Sequence, residues 1–170
     1  MDALADEMAT VITLQMAAVP QTDPSAPDPS RADTLRAAGH RIRQVLLSYR
    51  DGARLFSGTH LTDTDALNSS ETALRALTGD GLALADTVRA LQTLNAYVVG
   101  FVIEEQHRNP VPGEPDPRYE VSARQARVDP GQAPLNHAAS QVFFAPLDET
   151  FSWGLEALIA GIAARTGAPI

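Results

Sequence analysis

The residues best suited to metal chemistry lie in the stretch VVGFVIEEQHR at 98–108. Glu104 precedes His107 by three residues, a spacing that puts a carboxylate and an imidazole on one helix face, as in di-iron bundles. Such a centre needs a second Glu-x-x-His and two further inward carboxylates, and the sequence has no second copy of the motif. A carboxylate-bridged metal enzyme is therefore the least favoured function, and the polar end of a long helix is the simpler explanation.

No other pattern in the chain indicates catalysis. The sequence contains no cysteine, which excludes thiolate nucleophiles, thiolate metal sites and disulfides. It has no glycine-rich phosphate loop, and no serine, histidine and aspartate in a recognisable motif. We therefore expect no enzyme, no catalytic residue, no metal and no cofactor.

Charge and hydropathy bear on two further classes of partner. The 170 residues carry a net charge of −8, and all 13 basic residues are arginine. Since affinity for nucleic acid rests largely on neutralising phosphates, this chain by itself is not expected to bind DNA. No apolar run approaches the ~18 residues of a membrane span, so no membrane contact is expected. Together with the lack of cysteine, this composition fits the cytoplasm.

Proline placement divides the chain. Four of the 12 prolines lie between 20 and 29, six lie between 110 and 134, and none lies in 31–109. Because proline breaks helix interiors, we expect a long helical block between two irregular stretches. No strand-like alternation of useful length is present, so the fold class is all-α. The predicted helices run over 2–16, from Ser30 to an Arg50-Asp51-Gly52 break, over 53–57, from Thr62-Asp63 to about Gly79, over 83–107, and from Pro146 to about 166.

The helix predicted over 83–107 is the longest, and it is apolar on two sides, so it must be covered on two sides. Asn95 interrupts one apolar stripe, which costs free energy unless a partner pairs with its amide. That partner is either a bound ligand or a neighbouring side chain. The stripe comprises Leu84, Val88, Leu91, Asn95, Val98 and Val102.

The last helix also has two faces. A bulky stripe, which we assign to the core, comprises Phe151, Leu155, Leu158 and Ile162. A stripe of small residues, which would let a second helix approach closely, comprises Gly154, Ala157, Gly161 and Ala164. We assign the small face to a second copy of the chain across a two-fold axis. The alternative is that both faces are buried inside one monomer.

The segment LLSYRDGARLFSGTH at 46–60 breaks a helix at Tyr-Arg-Asp-Gly, restarts it for barely two turns and breaks it again. A plain bundle needs one turn there, whereas a pocket wall needs a short rigid piece. With MDALADEM at the start, VVGFVIEEQ at 98–106 and FSWGLEALIAGI at 151–162, it resembles the ligand-binding and dimerisation domain of the tetracycline repressor (TetR) family. The resemblance covers nearly the whole chain and is weakest over 18–30 and 108–145.

The resemblance implies a TetR-type C-terminal helical domain that dimerises through a four-helix bundle. Residues 1–17 would form the connecting helix from a DNA-binding head, and 31–166 the effector-binding and dimerisation domain. In such repressors the short helix, here 53–58, is a pocket wall that a small-molecule effector displaces. The shift passes through the connecting helix to a helix-turn-helix head and releases operator DNA. That head is not in this chain, so operator DNA would be a partner only through a head outside it.

The family's pocket positions can be compared with this chain residue by residue. The chain differs from the family pattern at the positions that bind the drug and the metal. The positions of a drug-binding asparagine and phenylalanine are Ala38 and Ile42, and the position of the magnesium-binding histidine is Phe56. Magnesium needs hard oxygen or imidazole ligands, so magnesium-tetracycline is not the expected effector. We expect a small lipophilic molecule, such as an aromatic polyketide or another antibiotic. The expected ligand-binding residues are Ile42, Phe56, Thr59, His60, Thr72, Val88, Leu91, Asn95 and Glu104.

Two alternatives stay open at this point. His60 follows a turn and would equally face water, and each polar residue of the set has a structural explanation of the same kind. For the whole protein, the alternative is a stand-alone ligand-binding dimer without a DNA-reading head. A reading frame that continues upstream of the Met1 codon into a helix-turn-helix pattern would exclude that alternative.

Overall fold

Helices make up the regular structure of the computed structural model, which describes residues 2–17, 29–57, 64–79, 81–109 and 116–167. The predicted all-α class is therefore confirmed. The helices are α1 (Asp2–Ala17), α2 (Arg31–Leu47), α3 (Gly52–Ser57), α4 (Thr64–Gly79), α5 (Leu84–Arg108), α6 (Val121–Gln125), α7 (Pro134–Phe143) and α8 (Leu147–Thr166), with a 3₁₀ turn at Pro117–Tyr119. None of these helices is long and apolar enough to cross a membrane.

The chain divides into two compact units. The first comprises Met1–Ile103 and Leu155–Ile170, and the second comprises Glu104–Gly154. In the first unit α1 packs against α2, α3 and α4, and α2 also packs against α3 and α4. The buried side chains of this unit include Ala9, Ile12, Leu35, Leu46, Ala53, Leu77, Leu94, Val98, Val102, Leu155 and Ile159. Each fully buried leucine or isoleucine among them stabilises the fold by about 1.5–3 kcal/mol.

The helix α2 begins where its sequence signal predicts. The Ser30 hydroxyl accepts a hydrogen bond from the Asp33 N–H at 3.1 Å and donates one to Asp33 Oδ2 at 2.6 Å. This arrangement satisfies one of the free N–H groups of the first turn, as an N-cap should. The same hydroxyl hydrogen bond lowers the pKa of the Asp33 carboxyl below its ordinary value.

Two arginines of α2 reach neighbouring helices of the first unit. Arg36 donates from Nε and Nη2 to the two carboxylate oxygens of Glu156 on α8, at 2.5 and 2.9 Å. Arg41 donates from Nε and Nη2 to the carbonyl oxygen of Gln15, at 3.0 and 2.6 Å. Gln15 lies in the last turn of α1, where carbonyls have no partner within the helix. Arg41 therefore caps the end of α1 from the side.

The predicted inward stripe of α5 is only partly correct. Val98 and Val102 are fully buried, but Leu84 is 61% exposed and Val88 is 37% exposed. Leu84 is the first residue of α5 and lies three residues after Gly81, which has a φ of 84°. A helical period shows which residues share a face, but it does not show how far the covering helices extend along that face.

The last helix matches its predicted bounds, and its buried face is rotated from the predicted one. The buried residues are Phe151, Leu155, Ile159 and Ala163, whereas Leu158 and Ile162 are half-buried. The four buried residues follow one i, i+4 row of the helix, which side-chain size alone did not identify. On the small face Gly154 is half-buried, and Ala157, Gly161 and Ala164 are exposed.

Trp153, the only tryptophan of the chain, is 77% exposed on α8.

The second unit contains helices where a variable connection was expected. α6 packs against the 3₁₀ turn and against α7. The guanidinium carbon of Arg108 lies 5.3 Å from the ring centroid of Tyr119 and 5.4 Å from that of Phe144. Arg124 lies over Phe143 at 4.6 Å and over Phe144 at 5.5 Å. Cation–π contacts of this kind hold a unit that buries few aliphatic side chains.

The 3₁₀ turn of the second unit is capped by its own charge pair. The Asp116 side chain accepts a hydrogen bond from the Arg118 N–H at 2.9 Å. Hydrogen bonds from the Arg118 side chain lower the pKa of Asp116 to about 2. This carboxylate therefore stays ionised at any physiological pH.

Candidate functional site

A cavity of about 470 Å³ lies in the first unit between α3 and α5. The short helix α3 contributes Phe56 and Ser57 to its lining. The other lining residues come from α5 and are Asn95, Ala96, Val99, Gly100 and Ile103. Small-molecule sites in proteins commonly have volumes of about 300–1,000 Å³, so the cavity has room for a compact organic ligand.

The break between α2 and α3 fixes the position of Phe56. Asp51 has a φ of 55°, a left-handed conformation that is uncommon for a residue with a side chain. Gly52 follows and is buried, and a Cβ atom built on it would stand 2.5 Å from the backbone oxygen of Leu46. No side chain fits there without a backbone shift. The predicted break is therefore confirmed, and it directs α3 back toward α5.

Other sides of α5 carry buried side chains and aromatic contacts. Leu94, Val98 and Val102 are fully buried. Tyr97 and Phe101 pack with ring centroids 5.9 Å apart, and the guanidinium carbon of Arg43 on α2 lies 6.0 Å from the Phe101 ring. Burial raises the pKa of the Tyr97 hydroxyl, and the Arg43 charge acts in the opposite direction.

The described side chains that line the cavity are uncharged, and polar atoms share its surface with apolar ones. Of the seven described lining residues, none is ionisable, and Ser57 and Asn95 carry the only polar side chains. Asn95 is half-buried, and its carboxamide makes no hydrogen bond within the described part of the chain. Both its donor and its acceptor are therefore available to a molecule in the cavity. Such a site binds by shape and by one directed polar contact.

The structure brings two of the predicted ligand-binding residues together, Phe56 and Asn95, on opposite helices of the cavity. The other described residues of the predicted set do not belong to its lining. Of these, the half-buried ones are Ile42 and Leu91, and the exposed ones are Thr72, Val88 and Glu104. Thr59 and His60 lie outside the described residues. Ligand contact stays a prediction for all nine.

The sequence interpretation missed five lining residues: Ser57, Ala96, Val99, Gly100 and Ile103. A signal was present for two of them, Val99 and Ile103. Val99 and Ile103 follow Asn95 at spacings of four and eight, and Ala96 and Gly100 lie one position further along each turn. These four residues lie beside the stripe that holds Asn95, and their contact with a cavity follows only once the position of α3 is known.

The fold is that of the TetR-type C-terminal domain of transcriptional regulators. A possible TetR family transcriptional regulator from Streptomyces coelicolor A3(2) superimposes with a TM-score of 0.68 at 27% identity, covering 96% of this chain and 76% of that one. The apo structure of ActR from Streptomyces coelicolor superimposes with a TM-score of 0.74, covering 98% of this chain and 77% of ActR. At 19% identity, that likeness concerns the fold alone.

The sequence family agrees with the fold. The model of the tetracyclin repressor-like C-terminal domain matches residues 23–166, so the chain belongs to this family. The class G tetracycline repressor protein of Vibrio anguillarum is 37% identical over 123 residues, which are 71% of this chain and 54% of that protein. The class A repressor from transposon 1721 of Escherichia coli is 36% identical over 125 residues. The chain thus spans about half the length of the curated relatives it matches.

Family membership also bears on the metal-enzyme alternative. Repressors of this family are transcriptional regulators, not enzymes, so the prediction that this domain has no catalytic role is confirmed at the level of the family. The residues of the Glu-x-x-His spacing, Glu104 and His107, are both exposed on α5.

Proposed function

We propose that this chain is the effector-binding and dimerisation part of a cytoplasmic transcriptional repressor. A small lipophilic effector, such as an aromatic polyketide or another antibiotic, occupies the cavity between α3 and α5 and releases the full-length protein from operator DNA. The single observation that carries the proposal is the cavity itself, which is ligand-sized, has no charged side chain among its described lining residues, and has one wall on a six-residue helix that packs against α1.

The path from the cavity to the DNA-binding part would run through α3. An effector that fills the cavity presses on Phe56, and α3 passes the displacement to α1, which it contacts directly. Arg41 holds the end of α1 on α2. The displaced α1 would therefore pivot about this end. Release requires the effector to bind the two states with different affinity, because equal binding shifts no equilibrium.

Magnesium has no part in the proposed effector complex. A solved structure shows class A TetR in complex with 5a,6-anhydrotetracycline and magnesium. In this chain the position implied for the metal-binding histidine is Phe56, whose side chain offers no metal ligand. The described lining offers a carboxamide and a hydroxyl but no carboxylate or imidazole.

The second partner would be another copy of the chain. The exposed small residues of α8, Ala157, Gly161 and Ala164, leave room for a helix to approach closely. We propose a two-fold dimer through a four-helix bundle that includes this face. The two-fold axis would match a palindromic operator, read by helix-turn-helix heads outside this chain.

The test is ligand-dependent thermal stability. A ligand at about 100 times its Kd stabilises the folded state by about 2.7 kcal/mol, which raises the Tm of a domain of this size by about 5–10 °C. We expect one or more aromatic polyketides to give such a shift, and Gly100→Phe, which fills the cavity, to abolish it. A comparable shift with magnesium-tetracycline at micromolar concentration would contradict the proposed effector class.

A further inference from the structure

The described lining of the cavity bears on the charge of the ligand that it can bind. None of its seven described lining side chains can balance a charge, and the one half-buried polar group, the Asn95 carboxamide, presents a neutral donor beside a neutral acceptor. Moving an ion out of water into a site without a counter-charge is costly, whereas a neutral amide or hydroxy-ketone can exchange its water for a paired hydrogen bond.

We infer that the effector is electrically neutral when bound, and that a donor–acceptor edge on it pairs with the Asn95 carboxamide between α3 and α5. This inference rests on the proposed function. It adds the charge state of the ligand and the residue that recognises the ligand. Amides, lactams and hydroxy-ketones on a flat apolar skeleton carry such an edge, whereas free carboxylates, ammonium ions and metal chelates do not.

Three probes of nearly equal shape test the inference on the whole chain: naphthalene-2-carboxamide, naphthalene-2-carboxylate and naphthalen-2-ylmethylammonium. Their Kd values are measured by NMR titration at about pH 8, where an ordinary imidazole is neutral. Gly100→Phe serves as the control for location, because the Gly100 Cβ position meets no atom within 4 Å and the added ring has space to enter the cavity.

We expect the carboxamide to bind at least about ten-fold more tightly than either charged probe, and Gly100→Phe to remove this binding. Asn95→Leu keeps the size of the side chain but removes both hydrogen-bonding atoms, so the preference for the carboxamide should disappear. Asn95→Asp keeps the shape and adds a charge, so the preference should pass to the ammonium probe.

The outcomes separate this inference from the proposed function. If a charged probe binds in the cavity as tightly as the carboxamide, the neutral-ligand inference is wrong, while a ligand-binding cavity stands. If Asn95→Leu leaves the preference for the carboxamide probe intact, Asn95 is not the residue that selects a neutral ligand. The inference is then overturned as well. If no probe binds at a site sensitive to Gly100→Phe, the proposed effector site is overturned together with the inference.

Discussion

Gly39 of α2 lies directly against Leu155 of α8. A Cβ atom built on Gly39 would stand 2.9 Å from Leu155 Cδ1 and 3.3 Å from Leu94 Cδ1 on α5. Three helices of the first unit therefore meet at a position where a neighbouring side chain would have to shift to admit a Cβ atom. Because both leucines are fully buried, neither can turn outward to make room.

This contact predicts opposite effects for the same substitution at two helical glycines. Gly39→Ala forces the core apart and should lower the free energy of unfolding by about 1–2 kcal/mol, since overpacking outweighs the gain in helix propensity. Gly100→Ala meets no atom within 4 Å and should raise it by up to about 1 kcal/mol. Urea denaturation of both variants measures the difference. Equal changes in the two would show that the Gly39 contact is not tight.

A second prediction concerns pH and the pair between Arg36 and Glu156. Hydrogen bonding to Arg36 lowers the pKa of Glu156 below its ordinary 4.5, so the pair stabilises the fold above that value and its contribution is lost as the pH falls through the lowered pKa. Glu156 is half exposed, and solvent screening limits the contribution to about 0.2–1 kcal/mol. Glu156→Gln should therefore be less stable than the parent chain at neutral pH, and the difference should narrow at about pH 3.

Urea midpoints at both pH values measure this effect. His40 and Asp33 also act on the Glu156 charge, so His40→Gln is the matched control for the electrostatic surroundings. A difference between Glu156→Gln and the parent chain that is the same at both pH values would show that the pair acts through packing rather than through charge.

The turn between α2 and α3 gives a third prediction. Gly52→Ala places a methyl group 2.5 Å from the Leu46 carbonyl oxygen, and the required backbone shift should cost about 1–3 kcal/mol. Asp51→Gly relaxes the left-handed residue beside it and should change the free energy of unfolding by no more than about 0.5 kcal/mol. Since α3 carries Phe56, Gly52→Ala should also weaken binding of the carboxamide probe, while the molar mass by light scattering stays unchanged.

A fourth prediction tests the small face of α8. A Cβ atom at Gly161 meets nothing within 4 Å, so Gly161→Arg is expected to fold normally. If a second copy packs closely on this face, the long charged side chain blocks it, and light scattering should report a monomer at micromolar concentration. Gly79→Arg, also free of neighbours but on α4, is the control and should keep the mass of the parent chain. A dimeric Gly161→Arg would place the interface elsewhere.

Much of the helical framework could be predicted because each signal was local. The Ser30 cap, the Gly52 break and the start of α8 after Pro146 each depend on the conformational preference of one or two residues. The start of α7 had the same kind of signal in Pro134, followed by apolar Leu135 and Val142 at helical spacing. The density of proline before it favoured an irregular connection, so α7 was missed.

The site was harder to predict than the helices because it depends on which faces meet. Asn95 was identified from its apolar surroundings on one helix, and Phe56 from the family resemblance. Ala96 and Gly100 have side chains too small to produce a pattern, yet they shape the cavity through the space they leave empty. An empty volume is a property of two elements together, and no single stretch of sequence encodes it.

Trp153 gives this protein an optical reporter of its own. As the sole tryptophan, exposed on α8 just before the stripe of small residues, it dominates the near-ultraviolet emission and samples water directly. A second chain that packs against this end of α8 would shift the emission of Trp153 to shorter wavelength. It would also protect Trp153 from quenching by dissolved iodide. Assembly can thus be followed by dilution in a cuvette, without a dye and without altering a residue.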